Sequence, residues 1–305
     1  AVLHDFSALD SNTGTNTDGA LPCGGLVLSG STLYGTASVG GPGGAGVVFS
    51  LNTSGGFTRL HSFTPLDSLV GTNADGAFPS SGLVLSNGVL YGTAMAGGAG
   101  GKGVIFSVGT DGLGFAVLHH FSATDPPAGT NPDGASPCAP LVLSGGYLFG
   151  TASAGGASAN GTVFSVSTNG AQFQVIHGFT AVDSFTGTNA DGAFPVAPVL
   201  RLGNSLYGAA FGGGPGAAGT VFSLPIPAPP AVITNVINNL NGGVILNFIG
   251  GPDSTNVVQA TASLTPPVAW QNVSTNVADA NGTWQFVDSN NAFAARFYRS
   301  YESRH

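Results

Sequence analysis

Lysine is almost missing from this chain: Lys102 is the only one, and Glu302 is the only glutamate. Charged residues make up 7% of the 305, six basic against fourteen acidic, for a formal net charge of −8. A surface so poor in cations cannot neutralise phosphates, which excludes nucleic acid as a partner. It also leaves little to attract anionic lipid. No apolar run approaches the roughly 20 residues of a spanning helix, so no membrane insertion is expected. The two cysteines are too few for a disulfide framework. Several catalytic signatures are missing as well: HExxH, CxxC and GxSxG do not occur. The stretch Gly97–Gly103 reads GGAGGKG, yet no Ser or Thr follows its lysine and strand-like runs flank it, so it is not a phosphate loop.

What the chain has in excess is glycine, 50 residues, with 19 prolines and 42% apolar residues. Glycine and proline at this level can mark disorder, but the positive mean hydropathy argues for a packed core. Short apolar runs between Gly-rich turns indicate an all-β fold. The runs recur. Tyr34, Tyr91, Phe149 and Tyr207 are spaced by 57, 58 and 58 residues. Phe49, Phe106, Phe164 and Phe222 keep the same spacing, as do His4, His61, His119 and His177. A fixed period of this length is one supersecondary unit repeated, with neighbours stacked to share a core.

The second copy shows four strands: LVLS (Leu83–Ser86), VLYGTA (Val89–Ala94), GVIFSV (Gly103–Val108) and FAVLHHF (Phe115–Phe121). Asn87-Gly88 joins the first two as a tight hairpin, and Thr110-Asp111-Gly112 joins the last two. Four antiparallel strands per repeat predict a blade, and four repeats predict a four-bladed β-propeller over residues 1–226. The fourth copy runs into a proline-rich stretch after Val221–Leu224 and has no fourth strand, while a spare VLHDF strand stands at Val2–Phe6. Val2, Leu3, His4, Asp5 and Phe6 are therefore expected to complete the last blade. Self-closure within one chain is the preferred form, and insertion into a neighbouring molecule is the alternative.

Four segments carry a family resemblance: LYGTASVGGPGGAGVVFS (Leu33–Ser50), LYGTAMAGGAGGKGVIFS (Leu90–Ser107), LFGTASAGGASANGTVFS (Leu148–Ser165) and LYGAAFGGGPGAAGTVFS (Leu206–Ser223). They resemble the GloVer-type tandem repeats of large secreted bacterial proteins. The resemblance covers about residues 1–226 and implies a secreted or surface protein without assigning an activity.

Beyond the PIPAPP stretch (Pro225–Pro230) the period stops, and residues 227–305 are expected to form a second domain. Six strand-like runs follow: VITNVI, GVILNFI, NVVQATA, AWQNVS, TWQFVD and RFYRSY. Turn pairs at Asn241-Gly242 and Asn281-Gly282 predict a small β-sandwich with Trp270, Trp284, Phe286 and Phe297 in its core. Trp270, Val273, Gly282, Trp284, Phe286, Asp288 and Arg296–Arg299 together resemble a C-terminal fibronectin- or Ig-like module of secreted bacterial proteins. Arg296, Arg299 and Arg304 place half of the basic residues near the C-terminus.

The strongest polar signal is a loop preceding each blade, with paired aspartates at Asp10 and Asp18, Asp67 and Asp75, Asp125 and Asp133, and Asp183 and Asp191. Oxygen-rich loops of this kind suit Ca2+. Asx-type turns explain them equally, and the downstream glutamate of a calcium loop is missing, so the turn is the preferred reading. The four periodic histidines can form a metal ring only on the innermost strand. They fall on the outermost, which points to packing and hydrogen bonding, and His120 beside them is expected at the surface. Cys23 and Cys138 share a repeat position in the first and third copies, so either a bridge between them or two free thiols is open. Four-fold equivalent acids do not make one asymmetric active site, so no enzyme is expected.

The chain begins at Ala1 without Met or a signal peptide, as a mature secreted protein or a trimmed chain would. Scarce lysine and abundant Ser, Thr, Asn and Gly suit an extracellular or cell-surface setting. Two functional readings follow. One is a structural protein that polymerises with itself. The other is a binding module whose Tyr34, Tyr91, Phe149 and Tyr207 face sugars or a protein partner, against the plainer reading of these rings as core.

Overall fold

A computed structural model describes residues 1–226, 232–238, 243–250, 255–266, 268–279, 282–289 and 296–302. The fold is all-β. The first repeat forms a sheet of β1 (Val27–Ser29), β2 (Thr32–Ala37), β3 (Val47–Asn52) and β4 (Phe57–Ser62). The second is built from β5 (Val84–Ser86), β6 (Val89–Ala94), β7 (Val104–Gly109) and β8 (Ala116–His120). The third has β9 (Val142–Ser144), β10 (Tyr147–Ala152), β11 (Thr162–Ser167) and β12 (Phe173–Gly178). Each is an antiparallel meander in chain order. Among the described residues the fourth repeat has three strands, β13 (Leu200–Leu202), β14 (Ser205–Ala210) and β15 (Thr220–Pro225).

The repeat motif has a steric reason. In the second sheet Gly92 lies opposite Phe106. A Cβ on Gly92 would meet the Phe106 ring at 2.7 Å and Leu83 Cδ2 at 2.8 Å. The LYG glycine therefore leaves room for the phenylalanine of the next strand to lie across the sheet, an aromatic covering a strand glycine. At the first hairpin, Asn87 and Gly88 have φ of 50° and 76°. Positive φ at both central residues is the type I′ requirement. Each last strand is joined with a register shift, between Val48 and Phe49, Ile105 and Phe106, or Val163 and Phe164.

Two large apolar clusters lie between repeats. Tyr34, Val48 and Phe63 of the first repeat share a core with Leu83, Leu90 and Phe106 of the second. Tyr91, Ile105 and Phe121 of the second share one with Leu141, Leu148 and Phe164 of the third. Each sheet thus covers the next, as stacked repeats must.

Two compact units divide the chain. One comprises Ala1–Leu143, Tyr147–Leu200 and Tyr207–Leu224, and the other Ser144–Gly146, Arg201–Leu206 and Pro225–His305. The tail carries β16 (Val232–Asn238), β17 (Val244–Ile249), β18 (Thr255–Thr261), β19 (Gln271–Val277), β20 (Thr283–Asp288) and β21 (Phe297–Glu302). These make two three-stranded antiparallel sheets, β16-β17-β20 and β19-β18-β21. Leu246, Phe248, Val258, Ala278, Trp284 and Phe286 form their common core. Phe297 lies outside this core and is partly exposed, while Trp270 is covered by the Arg299 guanidinium 4.4 Å above its ring. The linker residues Pro227–Pro230, the Asn241-Gly242 turn, Asn281 and Arg304 lie outside the described residues.

One expectation is corrected here. Val2–Phe6 forms no strand and does not complete the fourth sheet. It lies instead against the first repeat, where Phe6 packs with Leu33, Phe49 and Phe57.

Candidate functional site: the repeat junctions

The polar residues singled out by the period converge at the junctions between repeats. At three of the four positions the last strand of a repeat supplies a histidine, at the first the N-terminal segment does, and the loop that follows supplies an aspartate. His4 Nε2 lies 3.0 Å from Asp18 Oδ2, and the His61–Asp75 and His119–Asp133 pairs are 2.9 Å apart. His177 lies 2.8 Å from Asp191. A hydroxyl residue three positions after each histidine completes the group. The backbone N–H of Ser7, Thr64, Ser122 or Thr180 donates to the same carboxylate, and so does its hydroxyl, at 3.0 Å for Ser122.

The imidazoles are held from above by aromatic stacking. His61 lies flat on Phe115 and His119 on Phe173, both with centroids 3.6 Å apart, and His4 lies on Phe57 at 4.0 Å. His177 of the third repeat has no such stacked ring in the described residues, and the repeat that follows it is the one in which they form no fourth strand. Beside each group an asparagine clamps the loop. Asn131 Nδ2 donates to Ser122 O at 2.8 Å and Gly134 O at 2.6 Å, while its Oδ1 accepts from Gly134 N at 3.0 Å and Gly156 N at 2.7 Å. Asn16, Asn73 and Asn189 repeat the pattern.

Asp18, Asp75, Asp133 and Asp191 sit below the ordinary carboxyl value. Burial acts to raise them, and the hydrogen bonds from the hydroxyl residue and the histidine outweigh it. The other four aspartates head turns. Asp10, Asp67 and Asp183 accept from the backbone N–H groups two and three residues on, which lowers their carboxyls too. Asp125 closes the corresponding turn through its backbone, accepting from Gly129 N at 2.8 Å.

This donor set does not fit calcium. The cation needs about six converging oxygens, whereas these carboxylates face N–H and O–H donors. Among the described residues no cluster of three or more His, Cys, Asp or Glu can hold a metal. The arrangement also differs from a Ser-His-Asp triad, in which the imidazole stands between carboxylate and hydroxyl. Here the carboxylate stands between the other two, so no nucleophile is activated. The group is a latch.

The remaining residues read from the sequence lie elsewhere. Cys23 and Cys138 are free thiols, the second of the two readings left open, and Cys23 donates to Ser80 O at 3.5 Å. Tyr34, Tyr91 and Phe149 are buried, and Tyr207 is exposed. His120 is exposed, and its Nδ1 accepts from Ala99 N at 3.2 Å. Burial and the neighbouring His119 lower its pKa. The junction hydroxyls escaped the sequence reading although H-x-F-S/T recurs in every copy, and so did the stacking role of Phe57, Phe115 and Phe173, each four residues before a periodic histidine.

The ends of the array differ from its interior. Leu26 of the first repeat is 54% exposed, against 8, 3 and 3% for the equivalent Leu83, Leu141 and Val199. Val221 of the fourth is 86% exposed, while the equivalent Val48, Ile105 and Val163 are fully buried.

No curated protein matches the chain in sequence. Among solved structures, a nidogen/laminin complex is similar at TM-score 0.35 and 12% identity, over 72% of this chain and 71% of that one. Bacteroides ovatus xyloglucan PUL GH43B is similar at TM-score 0.34 and 13% identity, over 92% of this chain and 57% of its own. The GH43 BlXynB protein from Bacillus licheniformis is similar at TM-score 0.34 and 14% identity, over 94% and 57%. These overlaps are too low to carry a functional argument. The Gloeobacter/Verrucomicrobia repeat model matches residues 4–132 and 71–243, well over half of the chain. With its four sheets latched at each junction, the chain belongs to the Gloeobacter/Verrucomicrobia repeat family.

Proposed function

We propose that this is a non-catalytic, extracellular structural protein that assembles with itself into filaments or a surface matrix. In this reading the four sheets are propeller-type blades, and the tail is a small Ig- or fibronectin-like sandwich serving as spacer or surface adaptor. The observation that carries the reading is the pair of exposed end faces. Leu26 at one end and Val221 at the other are apolar positions whose equivalents are covered wherever another repeat adjoins them. Low charge adds to this, because contact between copies then removes few ions from water. Apolar patches of this kind mark association sites.

Sedimentation velocity over a concentration series, with electron microscopy of the same samples, tests it. Concentration-dependent growth into regular polymers is the expected result. Monomers at every concentration would refute it.

A further inference from the structure

We propose that the joint between copies is head-to-tail, with Val2–Phe6 of one molecule serving as the missing fourth strand beside β15 of another. This rests on the self-assembly reading above and names its interface.

The N-terminal segment already has the side-chain environment of a last strand. His4 makes the latch to Asp18 and stacks on Phe57, as His61 does with Asp75 and Phe115. Phe6 meets Phe49 edge-on at 5.5 Å, as Phe63 meets Phe106 at 5.3 Å. Its backbone differs. His61 is paired with Val48 and Ser62 with Val47, and Phe63 N donates to Gly46 O at 3.1 Å. No backbone pairing of Val2–Phe6 is seen among the described residues. The segment is held in place by its side chains alone.

At the far end the situation is reversed. Among the described residues β15 has β14 on one side and no strand on the other. Carrying the repeat register forward, His4 pairs with Val221 and Asp5 with Thr220. The faces then match too. The interior junction joins Tyr91 and Ile105 to Leu141 and Leu148. The joint brings Tyr207 and Val221 of one copy onto Leu26 and Leu33 of the next. An open edge with an exposed apolar face is a template for strand addition, and a heterologous contact that does not close gives an open filament.

Disulfide trapping tests the register. In a Cys23→Ser, Cys138→Ser background, Asp5→Cys and Thr220→Cys are placed in separate chains and mixed under mild oxidation. The expected product is a dimer that forms only in the mixture. The chain carrying both substitutions should give a ladder on a non-reducing gel. A bond formed within single chains would overturn the proposal in favour of self-closure. Dimers of one variant alone would overturn it in favour of like-to-like contact. Wild-type polymers with no trapped product would sink the joint and leave self-assembly standing, whereas a wild-type monomer would sink both. Val221→Lys is the second arm, since its side chain is exposed in the single chain and should not disturb folding. Loss of all species above monomer with an unchanged circular dichroism spectrum is expected, and unchanged polymerisation would refute the joint.

Discussion

His61 of the first repeat lies 2.9 Å from Asp75 of the second, so the pair spans a repeat boundary. The same imidazole is stacked on Phe115, and its backbone is paired with Val48. One residue therefore ties together a strand, the following loop and the next sheet. Removing it should be felt on both sides of the junction. His61→Ala is expected to lower stability by about 2–3 kcal/mol, from the lost stack and the buried acceptor left short of a donor. A denaturant midpoint within error of wild type would contradict this.

The latch carboxyls make stability fall in acid. Asp75 and Asp133 are held below the ordinary value of 3.8 in the folded chain. A group lowered by folding adds stability that is complete above its unfolded value, near pH 4. That contribution is lost as pH drops through the folded value. Melting temperature should decline below about pH 4, and Asp75→Asn with Asp133→Asn should flatten that decline while lowering the plateau. An acid limb of undiminished slope in the double variant would count against the latch.

Asn131 spends all four of its hydrogen bonds on loop backbone, and it is buried. Asn131→Ala leaves Gly134 and Gly156 with unanswered N–H groups, at about 1–3 kcal/mol each. Hydrogen exchange at Gly156 is the direct measurement. Protection equal to wild type would show that the clamp is dispensable.

Two glycines separate space from backbone freedom. Gly76 has φ +97°, and a Cβ there would meet Val104 Cγ2 at 2.5 Å. Gly30 has φ +59° with nothing within 4 Å. Gly30→Ala should cost about 1 kcal/mol, the left-handed penalty alone. Gly76→Ala should cost at least about 2 kcal/mol more, because the neighbour must also move. Equal melting temperatures for the two variants would refute the crowding at Gly76.

The sheets were legible because their causes are local. In the second repeat the expected strand Val89–Ala94 is β6 itself, and Gly103–Val108 is displaced from β7 by one residue. Alternation, Asn-Gly turns and the Gly92–Phe106 pairing all act within a few residues or across one hairpin. The role of Val2–Phe6 was half legible. Its likeness to VLHHF at residues 117–121 shows what kind of strand it is, yet repetition does not say which edge it meets. The aspartate loops left calcium open beside the preferred turn reading, because residue type does not show what a carboxylate faces. Asp18 faces donors, and these come from His4 and Ser7, brought round by the fold. The fate of Cys23 and Cys138 likewise depends on how the repeats are placed in space, which a shared repeat position does not determine.

The inter-repeat clusters have a mechanical consequence. Because each sheet is covered by its successor, the array has a direction of failure. The fourth sheet, with Val221 bare, has the least to lose on opening. Once it peels away, Val163 and Phe149 are uncovered in turn, and the third sheet becomes the new weak end. Pulled from its C-terminal side, the chain should surrender its sheets one after another, last to first, as a sawtooth of four steps rather than a single rupture.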